Sequence, residues 1–446
     1  MASTDPWFGF REDYLRRMTC DPTGLAAHQL FTNLRDSSVG LWLRELLKAV
    51  YFWCCAVVGG RLEKVALQAR YDYAFVIDGT AAPGLATSLP VLKALPAGKR
   101  VLLIVRDHVL RDPRFQDLSG NDGFTVLRID RVRIPLWLWF KAIPGILQLA
   151  FRYPRAMLSG PKFFLRKVHS ERVADDLLKR TTFGSLVVSN ERLIVPSALI
   201  QASRRKGIPT YCFQHGALVE QYLPITVDTY LTWGSMANAW FRERGATARL
   251  CDIGSPRADH LSKYLGQPPA AEARRIVVFF SQPPGTDFPL SYTERVEKEF
   301  LSLLQHPEWS LWVKPHPSED PSRWEQAAAA SSGRLQVRKE GNPYQVIADA
   351  GYVGAFYSTV ILEAMLFDRP VFQLNPYPGE APDYSERAGC APLRDGAALH
   401  AWLGRCEADA AFRGQALSRQ QDYARQYFSN LGRASQAFYE CLDRPA

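Results

Sequence analysis

The sequence predicts an α/β chain of two domains, each a parallel sheet covered by helices on both faces. Three observations predict it. Short apolar, β-branched runs recur between segments of helical spacing, as buried parallel strands do. Ten such runs are more than one small sheet usually holds. A length of 446 residues exceeds the roughly 250–300 at which a single core stops growing.

In order, the first series of predicted strands is Ala74–Ile77, Val101–Val105, Ser185–Val188, Thr210–Phe213 and Thr229–Thr232. A polar, proline-containing stretch over 255–275 (SPRADHLSKYLGQPPAAEARR) interrupts it and marks a hinge. This predicts domains over 1–255 and 256–446. The second series is Ile276–Phe280, Trp309–Val313, Leu335–Arg338, Tyr352–Ala355 and Val371–Gln373. Helical spacing with several aromatics over Gln415–Leu442 predicts terminal helices that cross back toward the first domain.

Composition narrows the class. With 47% hydrophobic and 22% charged residues, disordered and fibrous chains are excluded. The balance of 54 basic against 45 acidic residues leaves +9, which suits phosphorylated substrates, polyanions or anionic lipid surfaces. The eight cysteines form no CxxC pair or Cys/His cluster of zinc spacing, so no disulfide scaffold is expected and a reducing cytoplasm fits best. The N-terminus lacks the apolar core of a signal peptide. Two greasy segments, Leu41–Gly60 and Ile134–Phe151, carry charges or prolines, and read as buried, dimer-forming or membrane-surface helices rather than spans. No GxxxxGK[ST], GxGxxG or DxD pattern is present, which argues against Walker NTPases, dinucleotide dehydrogenases and metal-dependent single-domain transferases. Nucleic-acid partners lose support because the basic residues are scattered.

Parallel sheets bind ligands beyond the carboxyl ends of their strands, so residues directly after predicted strands are the candidates. WVKPHP places Lys314, His316 and Pro317 on a stiff turn suited to a phosphate or ribose, or to no more than a solvated strand end. Ser358 and Thr359 stand where a helix begins, as an anion site or an ordinary cap. Glu363 follows in that helix, facing a ribose or a neighbouring strand. Gln214, His215 and Gly216 leave another strand, His215 as an acid, base or oxyanion partner and Gly216 allowing close backbone approach. Asn190, Glu191 and Arg192 follow a further strand, with Glu191 a base or an ion-pair partner of Arg192. Asp78 ends the first strong strand, as a cleft carboxylate or a turn residue before Gly79. Ser281 and Gln282 leave the first strand of the second series, at a phosphate or in a polar turn.

The order of these clusters is more specific than any one of them. QHG, TWG at 232–234, GSPR-D at 254–259, SQP, KPHP and ST-x3-EA-x4-RP together resemble bacterial surface-polysaccharide glycosyltransferases of the GT-B type. The likeness spans about 185–380 and points to the group holding capsule Kdo transferases, bacterial sialyl- and polysialyltransferases and CDP-glycerol glycerophosphotransferases. It implies two Rossmann-like domains facing a central cleft, with the donor held by the C-terminal one. His316 would meet the nucleotide and Ser358 with Thr359 its phosphate. Lys314 would help to neutralise the leaving group without a bound metal or cofactor, the nucleotide-sugar being a co-substrate. A carboxylate of the N-terminal domain would deprotonate the acceptor hydroxyl or attack the donor carbon. The sialyltransferases' paired acidic motif is reduced here to Asp78 with Gly79 or to Glu191 beside Asn190, leaving the catalytic carboxylate and the stereochemistry open.

The resemblance implies transfer of a sugar, first a CMP-activated acidic one such as Kdo or sialic acid, to a glycan or lipid-linked acceptor in capsule or lipopolysaccharide synthesis. The work would be done in the cytoplasm or at the inner, anionic face of the membrane. The alternatives are a nucleotide-sugar epimerase, a CDP-glycerol-type polymer transferase and a non-catalytic assembly protein.

Overall fold

The computed structural model describes residues 49, 70–80, 84–119, 122–132, 140, 147, 151, 161–219, 222–283, 290–317, 319–356, 358–377 and 390–443. The N-terminal expectations and nearly all of the two greasy segments lie outside them. No helix among the described residues is long and apolar enough to cross a membrane. Contacts divide these residues into two compact units. One runs to Asp259 and takes in the chain from Arg433; the other runs from His260 to Gly432.

The first unit holds a seven-stranded, wholly parallel sheet. Its strands are β1 (Arg70–Ile77), β2 (Val101–Val105), β3 (Phe124–Arg128), β4 (Thr182–Val188), β5 (Thr210–Phe213), β6 (Thr229–Thr232) and β7 (Arg249–Asp252), in the order β3-β2-β1-β4-β5-β6-β7. Both faces are buried, and the two-residue period of a strand divides its side chains between two cores. Tyr73, Phe75 and Ile77 enter one core with Leu103 and Val105. Ala74 and Val76 enter the other with Leu102 and Ile104. The first core is covered by α1 (Leu85–Lys93) and α2 (Pro113–Ser119), and the second by α3 (Pro161–Arg180), α4 (Ile194–Arg205) and Phe241 of α5 (Ser235–Glu243).

The second unit has a six-stranded parallel sheet in the order β10-β9-β8-β11-β12-β13. The strands are β8 (Ile276–Phe280), β9 (Ser310–Lys314), β10 (Leu335–Val337), β11 (Tyr352–Ala355), β12 (Val371–Leu374) and β13 (Ala391–Leu393). Its helices are α6 (Leu290–Leu301), α7 (Ser322–Ala330), α8 (Pro343–Ala348), α9 (Val360–Ala364), α10 (Gly396–Ala408) and α11 (Ala410–Tyr427). The last described helix, α12 (Ala434–Asp443), belongs to the first unit. Asp259 holds its start by accepting from Ala434 N and Ser435 N at 2.8 and 2.9 Å. Tyr439 donates its hydroxyl to Val91 O at 2.9 Å.

Each sheet reverses strand order once, between β1 and β4 and between β8 and β11. In open parallel sheets such a reversal sends the loops of neighbouring strands to opposite sides, and the carboxyl edge there is where ligands are bound.

All ten predicted strands are present, within a few residues of their expected ends. Three strands escaped the sequence reading: β3, β7 and β13, each at the border of its sheet. A border strand lacks one neighbour and much of the apolar run, as the half-buried RLCD of β7 and the proline in APL of β13 show. The cysteine reading also needs correction. Cys251 of β7 and Cys441 of α12 are joined in a disulfide, with Cα atoms 6.7 Å apart, across a sequence separation of 190. Such a separation carries no spacing signal; only the docking of α12 on the first unit brings the two thiols together.

Phe438 is fully buried between Phe75 (5.9 Å between ring centroids) and Phe213 (5.2 Å). Phe438→Ala is expected to cost about 3–5 kcal/mol by urea denaturation, the range for emptying an aromatic site in a packed core.

Candidate functional site

In the first unit, register decides which residues meet. Ile77 pairs with Val105 and Val76 with Val188, so the next positions align Asp78 with Arg106 and Asn190 at the β1/β4 reversal. The loop after Asp78 folds back tightly, with Leu85 N donating to Gly79 O at 2.8 Å. A Cβ on Gly84 would lie 2.1 Å from Gly79 O, so this approach requires glycine.

Asp78 is buried, and its Oδ1 accepts no hydrogen bond among the described residues. Arg106 Nε lies 3.4 Å from that oxygen and 3.2 Å from Asp130. Burial raises the Asp78 carboxyl above its ordinary range, against the pull of Arg106 and of buried Arg166. A carboxylate held in this way is a stronger base than one in water. Sequence reading missed Arg106, Asp130 and Arg166. The rule that singled out Asp78 would have found Arg106, the first residue beyond β2.

Glu191 is also buried, which raises its carboxyl pKa, and its Oε1 likewise accepts no hydrogen bond among the described residues, while its other oxygen is fully engaged. Its Oε2 accepts from Thr226 N at 2.7 Å, Thr226 Oγ1 at 2.5 Å and Val227 N at 3.1 Å. This anchors the segment entering β6. Arg192 donates to Pro224 O in the same segment, and Asn190 Oδ1 accepts from Arg192 N at 2.9 Å. Gln214 is a staple between strand ends: it accepts from Trp233 N at 2.9 Å and donates to Gly216 O at 3.0 Å, while Trp233 Nε1 donates to its carbonyl at 2.8 Å. The staple fixes the turn that carries His215. That ring meets Tyr222 edge-on at 5.2 Å, and its Nδ1 has no hydrogen-bond partner among the described residues. Burial pushes the imidazole pKa down to about 4, so the ring is neutral near pH 7. It can accept or donate one hydrogen bond, but does not supply a standing positive charge.

In the second unit, Ser281 leaves β8 and Phe356 leaves β11 on either side of the strand-order reversal. The organiser here is Glu319. It accepts from Ser281 Oγ at 2.6 Å, His316 N at 3.0 Å and buried Trp324 Nε1 at 2.8 Å. Its own N–H closes a turn onto His316 O at 2.9 Å, with Pro317 inside the turn. His316 is thereby exposed on a rigid loop beside Ser281. Gln282 follows, half-buried. Glu319 stands in the same KPHPSED run as the predicted residues, and its carboxylate two residues after HP was the available signal.

Lys314 points elsewhere. Its ammonium donates to Lys339 O at 2.7 Å and Glu340 O at 3.0 Å, leaving one of three donors. It fastens the ends of β9 and β10, and its charge reaches a ligand mainly through space. Ser358 Oγ accepts from Val360 N at 3.3 Å, and Thr359 is the residue before α9. Glu363 is buried within that short helix. Gln373 of β12 donates to Phe356 O at 2.9 Å and steadies the loop leading to Ser358. The geometry thus brings Ser281, Gln282, His316, Ser358 and Thr359 to one sheet edge, and Asp78, Asn190, Gln214, His215 and Gly216 to the other.

No family model matches the sequence, and no curated relative matches it. Solved structures do. A UDP-GlcNAc 2-epimerase from Neisseria meningitidis bound to UDP-GlcNAc superposes with TM-score 0.54 at 11% identity, over 83% of this chain and 99% of that one. A glycosyltransferase from Rickettsia africae gives 0.51 at 11% over 84% and 98%, and the calicheamicin glycosyltransferase 0.51 at 14% over 84% and 99%. The fold is of the GT-B type. At these identities the likeness concerns backbone architecture alone.

Two outcomes are expected. The His215 ring should titrate near pH 4 by NMR. Because that lies below the unfolded value near 6.5, its stability contribution is complete above about pH 6.5 and is lost as pH falls through 4. His215→Asn should therefore flatten the acid limb of a stability-versus-pH curve. Glu319→Ala leaves the buried Trp324 donor unpaired and frees the His316 turn. It should destabilise the chain by about 1–3 kcal/mol in denaturant titrations.

Proposed function

We propose that the chain is a nucleotide-sugar-dependent glycosyltransferase of bacterial surface-polysaccharide synthesis. The observation that carries this reading is the second unit's strand-order reversal, where Ser281, the His316 turn clamped by Glu319 and the loop bearing Ser358 leave adjacent strands at one sheet edge. Backbone N–H groups and short hydroxyls at such an edge suit a phosphate, and an imidazole on a rigid turn suits a ribose or base. In this reading His316 and Pro317 take the nucleoside side, with Gln282 beside them. Ser358 and Thr359 take the phosphate, Ser281 beside them gives its hydroxyl hydrogen to Glu319 and so steadies the His316 turn, and Glu363 supports the helix. Lys314 adds positive potential, so the leaving phosphate needs no metal.

In the other unit, Asp78 is the base that removes the acceptor hydroxyl's proton, its burial and raised pKa matching that task. Neutral His215, with Asn190 and Gly216, orients the acceptor by hydrogen bonds. Arg192 and Gln214 are positioning residues that hold strand-end loops, while Glu191 anchors the segment entering β6 through Oε2 and keeps Oε1 without a hydrogen-bond partner among the described residues. The donor is a CMP-activated acidic sugar of the Kdo or sialic acid type, and the acceptor a glycan or lipid-linked sugar at the inner membrane face. The order of the KPHP and ST motifs and the +9 charge support those finer assignments.

Epimerisation of a nucleotide-sugar is the second reading, because the epimerase superposes over as much of the chain as the transferases do. Interconversion of a UDP-sugar with no acceptor present would establish it and displace transfer.

Thermal-shift measurements across CMP, CDP, UDP and GDP should show stabilisation by CMP first, since a ligand of the folded state raises stability by mass action. Stabilisation by UDP alone would transfer the donor to that class, and by none would remove the nucleotide site. His316→Ala should weaken nucleotide binding by calorimetry, with unchanged affinity overturning its role. Asp78→Asn should lower kcat by about 10²–10⁴-fold while leaving nucleotide affinity intact. A variant with full kcat would dismiss Asp78 as the base.

A further inference from the structure

A cluster at the amino end of the second unit's sheet, opposite Ser281 and His316, carries chemistry that sugar transfer does not use. His306 and Glu308 precede β9, on the opposite side of the sheet from His316, which follows that strand. His400 lies on α10. One donor atom from each residue can be chosen so that all three lie within 4.8 Å of one another. Glu308 Oε1 is 3.0 Å from His400 Nε2, and the two imidazoles stack at 3.4 Å between centroids with planes 9° apart.

Local structure holds these donors in place. His306, Pro307, Glu308 and Trp309 form a turn, closed by Trp309 N donating to His306 O at 3.3 Å and stiffened by the proline. Trp309 is 3% exposed and plugs the turn into the core. His400 rides on a helix fixed by buried Leu399, Leu403 and Cys406. Two elements distant in sequence therefore bring two imidazoles and a carboxylate within 4.8 Å of one another, all within reach of solvent.

We propose that His306, Glu308 and His400 form a binding site for a divalent transition-metal ion of the zinc type. Two nitrogens and one carboxylate oxygen are the donor set such an ion prefers, whereas magnesium and calcium select all-oxygen sites. Bonds of about 2.0–2.2 Å in a tetrahedron put ligand atoms about 3.3 Å apart, so the donors close by side-chain rotation alone, and water takes the fourth position. The ring planes must leave their stack on loading, because a metal binds an imidazole in its plane. The bound ion ties the turn before β9 to α10. It braces the second unit and takes no part in the chemistry at the opposite edge, so the site stands whatever the fate of the proposed function.

The test uses the full chain, stripped with a chelator and exchanged into clean buffer. Zinc titrated by calorimetry should bind at one tight equivalent and raise Tm, and excess magnesium should not compete. His306→Ala and His400→Ala should each weaken that equivalent by about tenfold or more, since disturbing even groups behind a ligand costs about 10–100-fold. Both positions are at least partly exposed, and circular dichroism of each variant checks that it folds. Displacement of the His306 and His400 ring resonances on loading gives a readout independent of affinity. No tight equivalent in the wild-type chain, or one retained at full affinity by the His306→Ala/His400→Ala double variant, would overturn the proposal.

Discussion

Parallel register is the constraint from which the candidate edges follow. Once β1 pairs with β2 and β4 in the observed alignment, Asp78, Arg106 and Asn190 become neighbours although they come from separate stretches of chain. The same holds in the second unit, where Phe280 is aligned with both Lys314 and Ala355 and the loops that follow share one edge. Parallel strands need crossover helices, and the helices bury both faces of the sheet. Polar side chains are thereby driven to the strand ends, where chemistry can occur.

Within those edges, carboxylates do two different kinds of work. Glu319 gathers three donors on its two oxygens and Glu191 gathers three on Oε2 alone, and each makes a loop rigid. Asp78 and Glu191 each keep one buried oxygen that accepts no hydrogen bond among the described residues, and Asp78 differs in lying 3.4 Å from the Arg106 guanidinium. A buried carboxylate that is fully hydrogen-bonded stabilises structure. One left short of donors is costly to keep charged, and is kept where that reactivity has a use.

Strands buried on both faces were legible in the sequence because a continuous apolar run is the imprint of that environment. IVVFF of β8 and VLLIV of β2 could hardly be anything else. Border strands β3, β7 and β13 left no such imprint. The strand-end rule selected Asp78, His215, Ser281 and His316, all of which lie at a carboxyl edge. It could not show which polar atoms the fold engages: the partners of Lys314 and of Glu191 Oε2 appear only in the structure.

Composition, run length and punctuation by themselves determined an α/β chain of parallel strands and the residues that follow each one, because those depend on neighbours in the chain. Tertiary structure alone decided which strand ends adjoin, which carboxylate oxygens find donors, that Cys251 meets Cys441, and that His400 faces His306 and Glu308. Each of those facts joins residues far apart in sequence, and such pairings arise only when helices and strands pack in three dimensions.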